Sequence, residues 1–177
     1  MIEVPAFSYF TIHGIGNPNS NAFGEYVSAL YSASYAIKMS PKKKCAPKDY
    51  AEYAVYPLEG VWDLTEDGKQ NYNGSLDKEK LSFTLMIRQP KFVDEIYAQS
   101  IIEKMRQKNT DILLGEIKFE KFEEGKCIQM LHIGSFDEER KSFEAMEAFA
   151  EHLSLKRAGH THKEIYLSNP ERVSKDK

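Results

Sequence analysis

The 177-residue chain has few cysteines, little concentrated charge and no long apolar run, and each shortage removes a class of protein. Its two cysteines, Cys45 and Cys127, lie far apart and form no C-x-x-C or Cys/His metal spacing. Neither a disulfide framework nor a cysteine metal site is expected, and the pair fits reduced thiols in a cytoplasmic protein. No apolar run approaches the roughly 18 residues of a membrane span, and Met1 to Pro5 has no basic stretch leading into an apolar one. The chain is therefore expected to be neither a membrane protein nor a secreted one. Net charge is −3, and the one dense basic run, Lys42-Lys43-Lys44, stands between Pro41 and Pro47. A nucleic-acid partner would need a basic face, so none is expected. Gly14-Ile15-Gly16 lacks the third glycine of a dinucleotide fingerprint, which leaves no nucleotide cofactor. His160 and His162 with His132 lack evident further ligands, which leaves no metal.

Aromatic residues are what the chain has in quantity: ten Tyr, ten Phe and a single Trp. Tyr9 to His13 reads as a strand, and a turn-forming stretch from Gly14 to Asn21 leads into a helix with Ser20 as N-cap. Phe23, Tyr26, Val27, Leu30, Tyr31, Ser34 and Ile37 fall on one helical face, and Ser40-Pro41 stops the helix. Glu52 to Trp62 and Leu81 to Arg88 read as strands, with Asp63 to Lys80 as a loop between them. A second helix over about 93–108 presents Val93, Ile96, Tyr97, Ile101 and Met105.

Glu116–Phe122 and Cys127–Ile133, separated by a short Gly-containing loop, read as a hairpin. Ser135 to Glu138 fits a capping box ahead of a helix burying Phe143, Met146, Phe149, Ala150 and Leu153, and Lys163 to Leu167 supplies another strand. The passage from Ile12-His13-Gly14-Ile15-Gly16 into a helix recurs as Met130-Leu131-His132-Ile133-Gly134 into a helix. This points to an α+β fold of two pseudo-symmetric strand–helix–strand–strand modules with antiparallel sheets around a ligand cleft: residues 1–90, a connecting helix in 91–115, and residues 116–177 without a last strand.

Five segments carry a family resemblance: Ile15-Gly16-Asn17-Pro18-Asn19-Ser20, Tyr53 to Asp63, Phe83 to Pro90, Met130 to Gly134, and Glu164-Ile165-Tyr166-Leu167-Ser168-Asn169-Pro170. With them the chain resembles the GyrI-like small-molecule-binding domain family. The second and third segments look like a stand-alone bacterial subgroup similar to cyclopropanoid hydrolases, which open the cyclopropane of DNA-alkylating natural products. About twenty further N-terminal residues and a final C-terminal strand are usual in the family and are not visible here.

The resemblance implies that the family's ligand-facing acid is Glu164, acting as a general base on water, with Tyr166 two residues along on the same strand face. Read from the residues alone, Glu164 fits an ordinary exposed or salt-bridged strand glutamate better than a catalytic one. Trp62, Tyr53, Tyr56 and Glu59 are the further candidates for binding a flat hydrophobic aromatic ligand, against the plain alternative that the aromatics pack a core. Tyr53 and Tyr56 are three apart and should face opposite ways on a regular strand. Two functions follow: hydrolysis of cyclopropanoid or similarly flat electrophiles, or non-catalytic sequestration of hydrophobic, even cationic, ligands with Glu164 as counter-charge.

Overall fold

The computed structural model of the chain describes residues 1–108, 111–135 and 138–168. They fall into two compact units: Phe7–Phe122 with Thr161–Ile165, and Met1–Ala6 with Glu123–His160 and residues 166–168.

The larger unit is built on an antiparallel five-stranded sheet in the order β5-β2-β4-β3-β7: β2 (Phe7–Ile15), β3 (Leu58–Leu64), β4 (Leu81–Arg88), β5 (Lys118–Phe122) and β7 (His162–Ile165). Phe10, Ile12, Leu85 and Ile87 on its central strands are fully buried, each contributing about 1.5–3 kcal/mol. The helix α1 (Asn21–Lys38) packs against β2 and β4. Ser20 caps it by accepting from Phe23 N at 3.3 Å, and its buried stripe is Ala29, Leu30, Ala33, Ser34 and Ile37. The helix α3 (Glu95–Lys108) starts where Asp94 accepts from Tyr97 N at 2.7 Å, and it buries Ala98, Ile101 and Ile102. Ile96, expected on that stripe, is 83% exposed because the helix is rotated toward Ala98 and Ile102. The unit also holds two short α-helices, α2 (Glu66–Gln70) and α4 (Leu113–Glu116). The stretch expected as loop thus contains a helix, capped by Thr65 accepting from Gly68 N.

The second unit pairs β1 (Ile2–Val4) with β6 (Gly125–Cys127), matching Ile2 to Cys127, and carries α5 (Glu139–His152). The expected hairpin between Glu116–Phe122 and Cys127–Ile133 does not form. β5 joins the edge of β2 instead, β6 is only three residues long, and Gly125 at φ +65° turns the chain between them. The middle of the capping box, residues 136 and 137, lies outside the described residues. Glu138 N–H bonds to the Ser135 carbonyl, and α5 buries Ser142 while Phe149 and Leu153 stay largely exposed.

The strand expected from Glu52 begins only at Leu58. Pro57 cannot donate to a ladder, and Tyr50, Tyr53 and Tyr56 gather around one another and Phe92 rather than alternating across a sheet.

One close approach fixes how β2 and β4 fit. Gly14 faces Phe83, and a Cβ on Gly14 would stand 2.4 Å from the Phe83 ring, which Phe23, Tyr26 and Trp62 hold in place. Gly14→Ala is expected to destabilise the protein by about 1–3 kcal/mol. Thermal denaturation checks it, and an unchanged Tm would show that the ring moves aside without cost.

Candidate ligand-binding face

The β3–β7 ladder sets the geometry. Glu59 pairs with Ile165, Gly60 with Glu164, Val61 with Lys163 and Trp62 with His162. Because side chains alternate along a strand, Trp62, His162 and Glu164 share the face on which α1 packs, and Glu59, Val61 and Lys163 share the other. Trp62 and Glu164 are diagonal neighbours across the two strands, a relation that spaces residues about 7–8 Å apart. Gly60, directly opposite Glu164, adds no side chain between them.

Trp62 is held by its neighbours. Its ring stacks on Phe23 at 5.9 Å between centroids and leans on Phe83 at 5.5 Å, and only 6% of the residue is exposed. Such a tryptophan is a wall and not a flap. Glu164 lies toward the accessible side, where its Oε1 is 3.0 Å from His162 Nε2 and about a fifth of its side chain meets solvent.

Glu59 is not brought to this face. It lies 6% exposed on the opposite side of the sheet, where its carboxylate pairs with Lys163 Nζ at 2.5 Å. Lys163 also donates to the Tyr9 hydroxyl at 3.3 Å. Tyr53 and Tyr56 stand together, with ring centroids 6.4 Å apart, in the cluster of residues 50–56 and Phe92. Lys38 lies over the Tyr53 ring, and burial pushes the Tyr53 hydroxyl well above the usual tyrosine range. Tyr56 faces Arg88, on the side of the sheet away from Trp62. Tyr166 is half-buried just past the last paired residue of β7.

Phe23 and His162 enter the site without having been singled out for it. Phe23 was legible only as part of the amphipathic stripe of α1. His162 stands two residues before Glu164 on one strand, a spacing that puts both on one face, but it drew attention only as a metal ligand. A cleft of about 250 Å³ opens elsewhere, between α1 and the end of α3, lined by Ser28, Ser32, Met105 and Leu114 among others. It contains neither Trp62 nor Glu164.

All 177 residues match the profile of the GyrI-like small molecule binding domain. The chain belongs to that family. No curated protein matches it. Three crystal structures from Listeria innocua superpose on 99% of this GyrI-like chain and 85% of their own with a TM-score of 0.86. Two are described as a hydrolase, 31% and 33% identical, and one as an uncharacterized conserved protein, 33% identical. Among the described residues of the GyrI-like chain no helix is long and apolar enough to cross a membrane.

Removing one partner of a buried ion pair leaves an uncompensated charge, whereas replacing both can be neutral. Glu59→Gln is therefore expected to cost about 3 kcal/mol, and Glu59→Leu with Lys163→Met to recover most of it. Urea denaturation of the single and double variants checks this. A double variant that loses as much as Glu59→Gln, or more, would mean that the loss does not come from leaving a buried charge unpaired.

Proposed function

We propose that this GyrI-like protein is a metal-independent hydrolase of flat, electrophilic aromatic compounds carrying a strained cyclopropane, with Glu164 as the general base. One observation carries the reading: a partly accessible carboxylate and the single tryptophan occupy the same sheet face on adjacent strands, with only a glycine opposite the carboxylate. The two Listeria innocua relatives described as hydrolases support the enzymatic class.

In the proposed reaction Glu164 takes a proton from water as the water oxygen bonds to a ring carbon. The cyclopropane C–C bond breaks, and its electron pair moves into the conjugated carbonyl, whose oxygen ends protonated. The net change is addition of one water, so no oxidant or cofactor is required. Trp62 and Phe23 offer the planar ligand an apolar wall, and the carboxylate stands where the water would be activated. Consuming an alkylator in this way would protect DNA.

A second reading keeps the same face and drops the chemistry. An aromatic wall beside a carboxylate is also suited to a cationic ligand, so the protein would sequester such compounds.

Glu164→Gln separates the two. If Glu164 is the base, turnover of a spirocyclopropyl alkylator, followed as the water adduct, falls about a hundredfold to ten-thousandfold. Quenching of Trp62 fluorescence by a neutral planar ligand should persist. Sequestration predicts no turnover in either form and weaker binding of cations by the variant. Undiminished hydrolysis by a folded Glu164→Gln protein would remove the base assignment.

A further inference from the structure

Arg88 ends β4 on the sheet face opposite Trp62, and its surroundings differ from those of several lysines that pair with carboxylates. Lys38 pairs with Glu52, Lys69 with Asp63 and Glu66, Lys80 with Asp67, and Lys163 with Glu59. Arg88 is half-buried, and its neighbours are rings: its guanidinium carbon lies 3.3 Å from the Phe7 centroid and 4.9 Å from the Tyr56 centroid. Its Nε is buried with no acceptor among the described residues. The Tyr53 hydroxyl, in the ring next to Tyr56, is likewise buried and unpartnered among them. Buried polar atoms are nearly always satisfied, so two unmatched ones in a single aromatic cluster call for an explanation.

Both groups are donors. The Arg88 guanidinium offers only N–H donors, and burial keeps the proton on the Tyr53 hydroxyl. Aromatic faces partly offset the cost of burying a guanidinium but accept no hydrogen bond in its plane. With Phe7 over one face of the guanidinium, the buried Nε–H has no acceptor in its plane, and an oxyanion entering the cluster in that plane is its complement.

We infer that Arg88, flanked by Phe7 and Tyr56 and neighboured by Tyr53, is a binding site for the carboxylate of a small aromatic acid, on the opposite side of the sheet from Trp62 and Glu164. The carboxylate accepts from Arg88, and the surrounding rings take the apolar body of the acid. This site does not depend on the hydrolase reading, since neither Trp62 nor Glu164 contributes to it.

The test uses the full chain labelled with ¹⁵N, following arginine Nε–H signals while sodium benzoate is added at constant ionic strength, with phosphate in a parallel titration. The Arg88 signal, assigned by its loss in Arg88→Lys, is expected to move saturably with benzoate. The Tm should rise by about 3–5 °C at ten times Kd. Tyr53→Phe should weaken benzoate about tenfold where its hydroxyl joins the carboxylate, and Glu164→Gln should leave the titration unchanged. An Arg88 signal that stays fixed up to about 50 mM benzoate, or equal benzoate affinity in Arg88→Lys, overturns the site. A response to phosphate alone overturns the carboxylate assignment.

Discussion

The pairing of β7 onto β3 is the constraint on which the rest depends. It joins residues 59–62 to residues 162–165, about a hundred positions away in sequence, and brings Glu164 beside Trp62. Side chains alternate, so a slip of one residue would turn Glu164 to the far face and put Lys163 in its place. The Glu59–Lys163 pair opposes that slip: in the wrong register Lys163 would leave the buried Glu59 carboxylate and meet the aromatic side of the sheet. A candidate binding residue from the sequence thus serves the site from the other side, by holding the strand that carries the carboxylate.

The aromatic residues divide into two groups with separate work. Phe23, Tyr26, Trp62 and Phe83 interlock beneath α1 over Gly14, each pair worth about 0.5–1.5 kcal/mol beyond burial. They give the face a rigid apolar wall without needing an enclosed cavity. Tyr50, Tyr53, Tyr56 and Phe92 pack among themselves where the chain forms neither strand nor helix, and two cations, Lys38 and Arg88, lie over their rings. In that stretch ring-to-ring and cation-to-ring contacts replace a sheet ladder as the source of order.

How much of this could be read from the residues depends on the range of the interaction. The helix at Asn21–Lys38, its Ser20 cap and the strand at Leu81–Arg88 follow from local periodicity and capping chemistry, and they appear where those signals put them. The α+β class and the GyrI-like family were also legible. The partner of β5 was not, because a short Gly-containing connection favours a hairpin locally while the open edge of β2 offers longer pairing. Pro57 was visible as a residue that interrupts ladders, yet the tyrosine-rich pattern before it mimicked a strand. Trp62 and Glu164 could be named singly, but their common face depends on a register that no local signal encodes. The role of Arg88 was hidden for the same reason, since Phe7 and Tyr56 reach it through the fold.

The Trp62–Glu164 face is where we propose that a small molecule meets this protein. A crystal structure of the Glu164→Gln protein with a planar cyclopropanoid compound tests it most directly, because the variant should hold the ligand without consuming it. The ligand is predicted to lie against the Trp62–Phe23 wall with its strained ring toward residue 164. A ligand found instead in the cleft between α1 and the end of α3, with the Trp62 face empty, would show that this face is not the binding site.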